Sequence, residues 1–588
     1  MTRAFFLVEW LKSPLRGFNE FASLDMANLL NWGVDFFEKP FEFSPFFLLI
    51  YTLSKFFDSA NLLIVYVVFQ LIFSVLIVYF VAQIAKKITG NYFIALLSAV
   101  LVAFYSPLLL YCGVFLREVM YVLLGTMSLY FLIYYRNNKK AIIYFSIFIG
   151  LFYGVRVAAI TWVISAFIWL IVRELITANH TGKLNNFSNC FSTIFNNKFL
   201  KRLVLCCVTI AVGILIFNTV KNRKLLTNFD NYPYYYNVGS QEQINSLDVV
   251  NSNGNQYKEK NKTSSFKAYF VKTKQLFTAY LLPNNINYYF WRGRLGILKI
   301  MLGVVVFYSL AVTSIIFNFK RFCLKKEAVL GYFCVSFALP LIVFVPLGRY
   351  SLIFIAPFAI YSAIFLHQLV FLFVKKQYLR FLIAIILLAT ITSIYYKILN
   401  QKGNLERSSD YVGLIAIYEK NRQKDSEALI KTYQKAHQIF PNNSYFVYHY
   451  AQNLLKNNQV NDAKKILITF NNNPQGQKKF DSILLLSAIL MTQEQYNEAL
   501  MQLEKFDAKQ AYERQKNDNN VNLQYALYCD LYGDAIMRHK SRLSDTKRKQ
   551  IAVLFYKNAL RLLDKQVTSH QKLIKIIELK MEKINKNK

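Results

Sequence analysis

Residues 61–87 read NLLIVYVVFQLIFSVLIVYFVAQIAKK, a charge-free run from Asn61 to Ala85 closed by Lys86 and Lys87. At about 1.5 Å of rise per residue, one α-helix of this length crosses the roughly 30 Å hydrocarbon core of a bilayer. Working outward, similar runs recur at 91–110, 117–135, 141–155, 158–172, 203–220, 295–317, 328–346, 351–374 and 380–398, with Arg156 interrupting the 141–172 region. About ten spans are therefore expected. The whole chain has 588 residues, 55% of them hydrophobic and only 17% charged. Soluble domains carry about 25% charged residues, so the apolar excess must face something other than water. That excess stops near residue 400, beyond which the sequence has an ordinary soluble composition.

The charges supply a second signal. Lys86-Lys87, Arg136 with Lys139-Lys140, the 173–202 loop, Lys320-Arg321 with Lys325-Lys326, and Lys375-Lys376 with Arg380 fall at every second span boundary. They share one side, which the excess of Lys and Arg in inner loops makes cytoplasmic. The net charge of +36 is thus spent on orienting helices against anionic head groups, and a nucleic-acid partner is excluded. Residues 1–60, the 221–294 loop, Gly348-Arg349-Tyr350 and the C-terminal part are then extracytoplasmic. The seven cysteines form no CxxC and no paired spacing, so neither a disulfide framework nor a zinc site is implied.

The expected fold class is all-α: a polytopic membrane bundle followed by a soluble α-solenoid. Residues 1–60 form an outer loop with an amphipathic helix, 61–398 the membrane domain, and 399–588 the soluble helical domain. No signal peptide precedes the outward N-terminal 60 residues, and a membrane helix is expected upstream of them.

The order of short motifs on the outer side carries a resemblance. Asp25-Met26-Ala27-Asn28-Leu29-Leu30-Asn31-Trp32-Gly33 is followed by Lys39-Pro40-Phe41-Glu42-Phe43-Ser44-Pro45-Phe46-Phe47 and an amphipathic stretch to Phe57. Leu116-Arg117-Glu118 opens a span, Gly150 to Arg156 closes another, and Gly348-Arg349-Tyr350-Ser351-Leu352 precedes a third. Over residues 20–375 the chain resembles the bacterial GT-C glycosyltransferases of the family 39 type, relatives of protein O-mannosyltransferases and of the transferases that put aminoarabinose on lipid A. It departs from them in lacking their first span, in Ser351 where they have a second Arg, and in an outer loop, Leu282 to Tyr288, without an acidic residue.

The resemblance implies transfer of a sugar from a polyprenyl-phosphate donor to an acceptor (protein, lipid A or glycan) outside a bacterial inner membrane. The leaving phosphate needs cations near the bilayer surface, and Arg offers a planar fork that matches its oxygens. The acceptor needs a carboxylate to take its proton. By resemblance Asp25 is that base and Arg349 binds the phosphate, with Glu118, Arg156, Arg117 and Tyr350 supporting. The structural alternatives are a helix cap for Asp25, an interfacial anchor for Arg349, and an ion pair between Glu118 and Arg117 or Arg156. Arg156 needs a polar partner or cavity under any function. Tyr234-Tyr235-Tyr236, Tyr288-Tyr289 and Trp291 suit either sugar stacking or an interfacial aromatic belt. No phosphate-cradling Gly-rich loop, HExxH or GxSxG is present. The six His do not cluster; a divalent cation held by Asp25 and Glu118 is an option that spacing does not support.

From about residue 409 small residues recur at an interval of about 36, as at Ala428/Ala436, Ala451/Ala463, Ala488/Ala499 and Gly533/Ala559. The pattern resembles a degenerate tetratricopeptide array of three to four repeats, which implies a concave surface for a protein partner or acceptor; a structural cap is the alternative. The basic, amphipathic stretch Lys572 to Lys588 suits an anionic membrane surface. Two other functions fit the class. A polysaccharide polymerase or ligase uses the same donors but tends to carry two Arg-rich sites in large outer loops. A non-enzymatic scaffold or transporter-like subunit predicts that Asp25 is dispensable, and the sequence offers neither inverted repeats nor paired broken helices, the pointers to a transporter.

Overall fold

A computed structural model of the chain describes residues 1–16, 56, 59–114, 116–134, 140–155, 158–180, 265–283, 286–319, 327–343, 347–401, 405–420, 422–473, 480–504, 519–539, 543–564 and 567–586. Among the described residues the protein is all-α, with no strand. Contacts divide it into two compact units, Met1–Gly413 and Leu414–Lys588, so residues 405–413 group with the first.

In the first unit the helices are α1 (Thr2–Lys12), α2 (Ser59–Thr89), α3 (Tyr92–Ala103), α4 (Ser106–Cys112), α5 (Glu118–Tyr134), α6 (Lys140–Val155) and α7 (Ala159–His180). There follow α8 (Ser265–Phe277), α9 (Tyr288–Arg292), α10 (Gly296–Ile300), α11 (Val304–Phe317), α12 (Ala328–Val343), α13 (Ile355–Val374), α14 (Tyr378–Gln401) and α15 (Ser408–Lys420), whose last turns enter the second unit. Three stretches are long and apolar enough to cross a membrane, Leu63–Thr89, Tyr350–Val374 and Tyr378–Gln401, which points to a membrane protein. Shorter apolar helices accompany them, including α3, α5, α11 and α12. Their outward faces are greasy: Phe69, Ile72, Val75 and Tyr79 on α2, and Leu379, Leu382, Ile383 and Ile386 on α14, are exposed. Water would not tolerate so continuous an apolar belt.

The spans share two poles. Lys86 lies 4.2 Å over the Tyr92 ring and Lys87 4.9 Å over the Tyr134 ring, joining the ends of α2 and α5 to the start of α3. There α3 begins after Gly90 (φ +70°, open to glycine) with Asn91 capping it through Phe93 N (2.8 Å). Asn91 also meets His367 of α13 at 3.1 Å, two turns before Lys375-Lys376. Near the same level Asn318 and Gln368 exchange two hydrogen bonds of 2.7 Å, pairing the ends of α11 and α13. All of these lie at the lysine pole.

At the opposite pole two helices break side by side, where the sequence is read as continuous spans at 91–110 and 295–317. α3 stops at Ala103, only about 18 Å along its axis, and α4 resumes at Ser106 with Pro107 in its first turn. α10 stops at Ile300 and α11 starts after Gly303. The freed backbone groups satisfy one another: Leu302 N donates to Phe104 O (2.8 Å) and Ser106 N to Leu302 O (3.1 Å). Ser106 Oγ adds a bond to Leu302 O (2.9 Å). Arg3 of α1 covers Ala103 O and donates from Nε to Ser74 Oγ (3.2 Å). Irregular backbone at membrane depth requires such pairing. The paired breaks correct the expectation that none exists; Ser106-Pro107 and Gly303 mark them in the sequence.

The second unit comprises α16 (Arg422–Ile439), α17 (Ser444–Lys456), α18 (Val460–Asn472), α19 (Phe480–Thr492), α20 (Tyr496–Glu504), α21 (Asn519–Arg538), α22 (Asp545–Leu562) and α23 (Thr568–Lys586). α17 packs on α18, α19 on α20 and α21 on α22, and α17, α19 and α21 also touch in succession. Ala451, Ala463, Ala499 and Ala559 are fully buried, and a Cβ on Gly533 would lie 2.7 Å from the Tyr556 ring. The recurring small residues thus sit where helices approach closely. Leu573, Ile574, Ile577 and Ile584 of α23 are buried, and Lys580 grips Asp530 (2.7 Å) and Asp534 (2.8 Å) of α21. Most of the apolar face of this helix is thus turned into its own unit, with Ile576 and Leu579 left exposed, which argues against its reading as a membrane-surface helix.

Candidate functional site

Glu118 is the first residue of α5 at the pole opposite the lysines, where a carboxylate suits the positive end of the helix dipole. It is 1% exposed. Arg349 stands in the turn that leads into the 3-10 segment Tyr350–Phe354 and then α13. The two side chains, 231 positions apart in sequence, meet with Nε–Oε1 at 3.7 Å. At that distance they form an ion pair rather than a direct hydrogen bond. Arg349 Nη2 donates to Tyr350 Oη (2.9 Å), and its guanidinium carbon lies 4.8 Å from the centre of the same ring.

The turn carrying Arg349 is fixed by its neighbours. Gly348 N donates to Leu282 O (3.0 Å), and Ser351 Oγ to Gly348 O (2.7 Å). A Cβ on Gly348 would stand 2.7 Å from Leu281 Cβ and 2.9 Å from its Cα, so glycine is required for this approach. The turn carrying Glu118 is held from α2: Tyr66 Oη donates to Leu116 O (2.6 Å), and Gln70 Nε2 to Tyr66 Oη (2.5 Å). Tyr111, near the end of α4, is also buried.

A strap ahead of the second unit completes this pole. Asn287 caps α9 and donates from Nδ2 to Leu405 O (2.7 Å) and Asp410 Oδ2 (2.6 Å). Asp410 accepts from Arg407 N (2.9 Å) and Arg407 Nη2 (2.8 Å). Arg294 pairs with Glu406 at 3.3 Å and stacks on Phe290, and Tyr411 Oη donates to Glu406.

Of the residues singled out from sequence, the fold brings Glu118, Arg349 and Tyr350 together, with half-buried Arg117 adjacent in the chain. Asp25, Arg156 and the Tyr234-Tyr235-Tyr236 run lie outside the described residues. Tyr288 and Trp291 are core residues, 2% and 1% exposed. Tyr288 Oη meets Ser106 Oγ at 2.6 Å, and Tyr289 stacks on Tyr280 at 5.5 Å while accepting from Leu281 N. Packing thus replaces both sugar stacking and an interfacial belt for these rings. Among the described residues no three His, Cys, Asp or Glu gather to hold a metal.

Sequence reasoning missed Tyr66, Gln70, Tyr111 and Arg407. The one available signal was the polar i,i+4 pair Tyr66/Gln70 inside an otherwise greasy run. Chemically, the pole presents a buried carboxylate able to take up a proton beside a guanidinium able to bind an oxyanion. No protein-family model matches the sequence, and no curated protein matches it.

Proposed function

We propose that the chain is a multi-pass glycosyltransferase of GT-C architecture in a bacterial inner membrane. It moves a sugar from a polyprenyl-phosphate donor to an extracytoplasmic acceptor. The observation that carries this reading is the meeting of Glu118 and Arg349, each singled out by motif order from distant parts of the chain, opposite the paired lysines. Ten spans, the sixth at 203–220, put that pole outside by the positive-inside argument. In the reaction the acceptor oxygen or nitrogen bonds to the anomeric carbon and the carbon–phosphate-oxygen bond breaks. The acceptor's proton passes to a carboxylate, Asp25 with Glu118 supporting it. Arg349 holds the departing phosphate, assisted by Arg117, Arg156 and Tyr350. The second unit, read as a tetratricopeptide-like solenoid in the periplasm, recruits the acceptor or a protein partner.

The paired helix breaks favour one rival, a transporter-like subunit, because half-helix ends often form transport sites. Here, however, the break carbonyls and amides are occupied by each other and by Arg3.

The test compares envelope glycans, lipid A and glycoproteins by mass spectrometry in a strain lacking the gene, complemented with wild type, Arg349→Ala, Glu118→Gln or Asp25→Asn. Loss of one sugar-sized mass in the deletion that Arg349→Ala and Asp25→Asn fail to restore is expected. Full restoration by these variants would sink the enzyme reading in favour of a scaffold.

A further inference from the structure

We infer that α8 (Ser265–Phe277) is an interfacial helix whose outward face, Phe270, Lys274 and Phe277, lies in the bilayer surface at the pole of Arg349. The inference stands on the membrane reading and is independent of the glycosyltransferase reading. The helix falls inside the 221–294 loop, which hydropathy alone leaves in water. At about 3.6 residues per turn, Phe270, Lys274 and Phe277 share one side and Lys272 and Leu276 the opposite one. The inner side is buried, with Lys272 2% and Leu276 7% exposed. Phe270 and Phe277 are 67% and 56% exposed, and Lys274 is exposed between them. The polarity is therefore inverted, with an ammonium inside and two phenyl rings outside. A single exposed phenylalanine is ordinary on a soluble surface. Two on one face, opposite a buried lysine, are the reverse of what water selects.

The helix is pinned at the height where an apolar helix of the bundle ends. It packs on α12, and Lys272 Nζ donates to the carbonyl of Val343 (3.1 Å), the last residue of α12. The negative end of that helix dipole suits a cation. α12 starts just after Lys325-Lys326 at the lysine pole, so Val343 marks its other end. Val335 and Leu339, both exposed on α12, bring its apolar stripe within one turn of Val343, so the greasy belt runs up to α8. Beyond α8 the chain is held again, where Gly348 N donates to Leu282 O (3.0 Å). With the inner side so anchored, the two phenyl rings suit the boundary between head groups and acyl chains. Lys274 can lay its stem along that boundary and return its ammonium to the lipid phosphates. Pairing this face with a second copy of the chain would instead bury Lys274 against apolar rings.

The experiment uses the full-length protein in phosphatidylcholine nanodiscs. The photo-crosslinker p-benzoylphenylalanine replaces Phe270, Phe277 or, as a reference on α14, Leu382. After irradiation, mass spectrometry reads the adduct formed at each position. A gain of one phosphatidylcholine at 270 and 277, in yield comparable with that at 382, is expected. Depth is read from Phe270→Trp, a conservative exchange that also serves where a crosslinker variant does not fold. Its fluorescence above the wild-type background should be quenched more by lipid brominated near the head group than by lipid brominated near the chain ends. Lipid adducts at 382 with none at 270 and 277, or a Phe270→Trp signal that neither lipid quenches, would put the face in water and overturn the inference. Stronger quenching from the chain ends would overturn the interfacial depth. Crosslinks between two chains at 270 or 277 would overturn the inference in favour of a second copy. Absence of lipid adducts at all three positions would overturn the membrane reading with it.

Discussion

Glu118 and Arg349 make unequal demands on their surroundings. Glu118 is almost wholly buried, whereas the Arg349 side chain retains 17% of its surface. Removing the cation takes the Arg349 charge from a buried carboxylate, a change that costs at most about 3–5 kcal/mol. Removing the carboxylate leaves a guanidinium that still reaches solvent and Tyr350. Arg349→Ala should therefore lower the melting temperature in detergent more than Glu118→Gln does, and the double variant should recover part of the loss. Additive effects would show that the 3.7 Å pair contributes nothing. Gly348→Ala tests the same turn sterically: its Cβ would press on Leu281 backbone and side chain, and a cost of about 1–3 kcal/mol is expected. Unchanged stability would mean that the approach of residues 281 and 348 is looser than 2.7 Å implies. The charged members of this site were legible because a charge bordering an apolar run stands out. Tyr66 and Arg407 were not, because a tyrosine in a span and an arginine in a linker are each ordinary until folding brings them to the same pole.

Among elements, hydropathy read the helices but not their interruptions. The run 91–110 carries no charge and 295–317 only Lys299, and averaging hides breaks of two and three residues. Local chemistry carried the signal instead: Pro107 favours a helix start, and Gly303 lets the Arg292 guanidinium approach where a Cβ would come within 2.6 Å. Ser106 holds the two breaks together through Leu302 O and Tyr288 Oη. Ser106→Ala removes both bonds at a buried position, and a loss of about 1–3 kcal/mol is expected. Hydrogen exchange should accelerate at 104–112 and 300–306 before it does at the lysine pole. Uniform acceleration across α3 and α11 would mean that the breaks are not held locally.

At the scale of the whole molecule, a pH response is built into the second unit. Burial lowers the His437 and His449 pKa values below the usual imidazole range. For His449 the neighbours Glu419, Asp481 and Gln452 oppose burial, and Lys456 adds to it. A histidine with a depressed folded pKa contributes stability that is complete above its unfolded pKa of about 6.5 and is lost as pH falls from there toward the folded value. Asp530 acts in a different window with the opposite slope. Burial raises its pKa above 3.8 despite Lys580, so its folded form holds a proton longer, and stability falls as pH rises just above 3.8. Between pH 7.5 and 5.5 the histidine effect operates, and that of Asp530 lies lower. Each contribution should stay under about 1 kcal/mol, because partial exposure screens it. Hydrogen exchange of the full-length protein, corrected for intrinsic rates, should show α16 and α17 losing protection across this interval while α5 and α13 hold theirs. His437→Gln with His449→Gln should flatten the response. If α16 and α17 lose protection equally in that variant, the acid sensitivity belongs to other groups and the buried imidazoles are passive parts of the core.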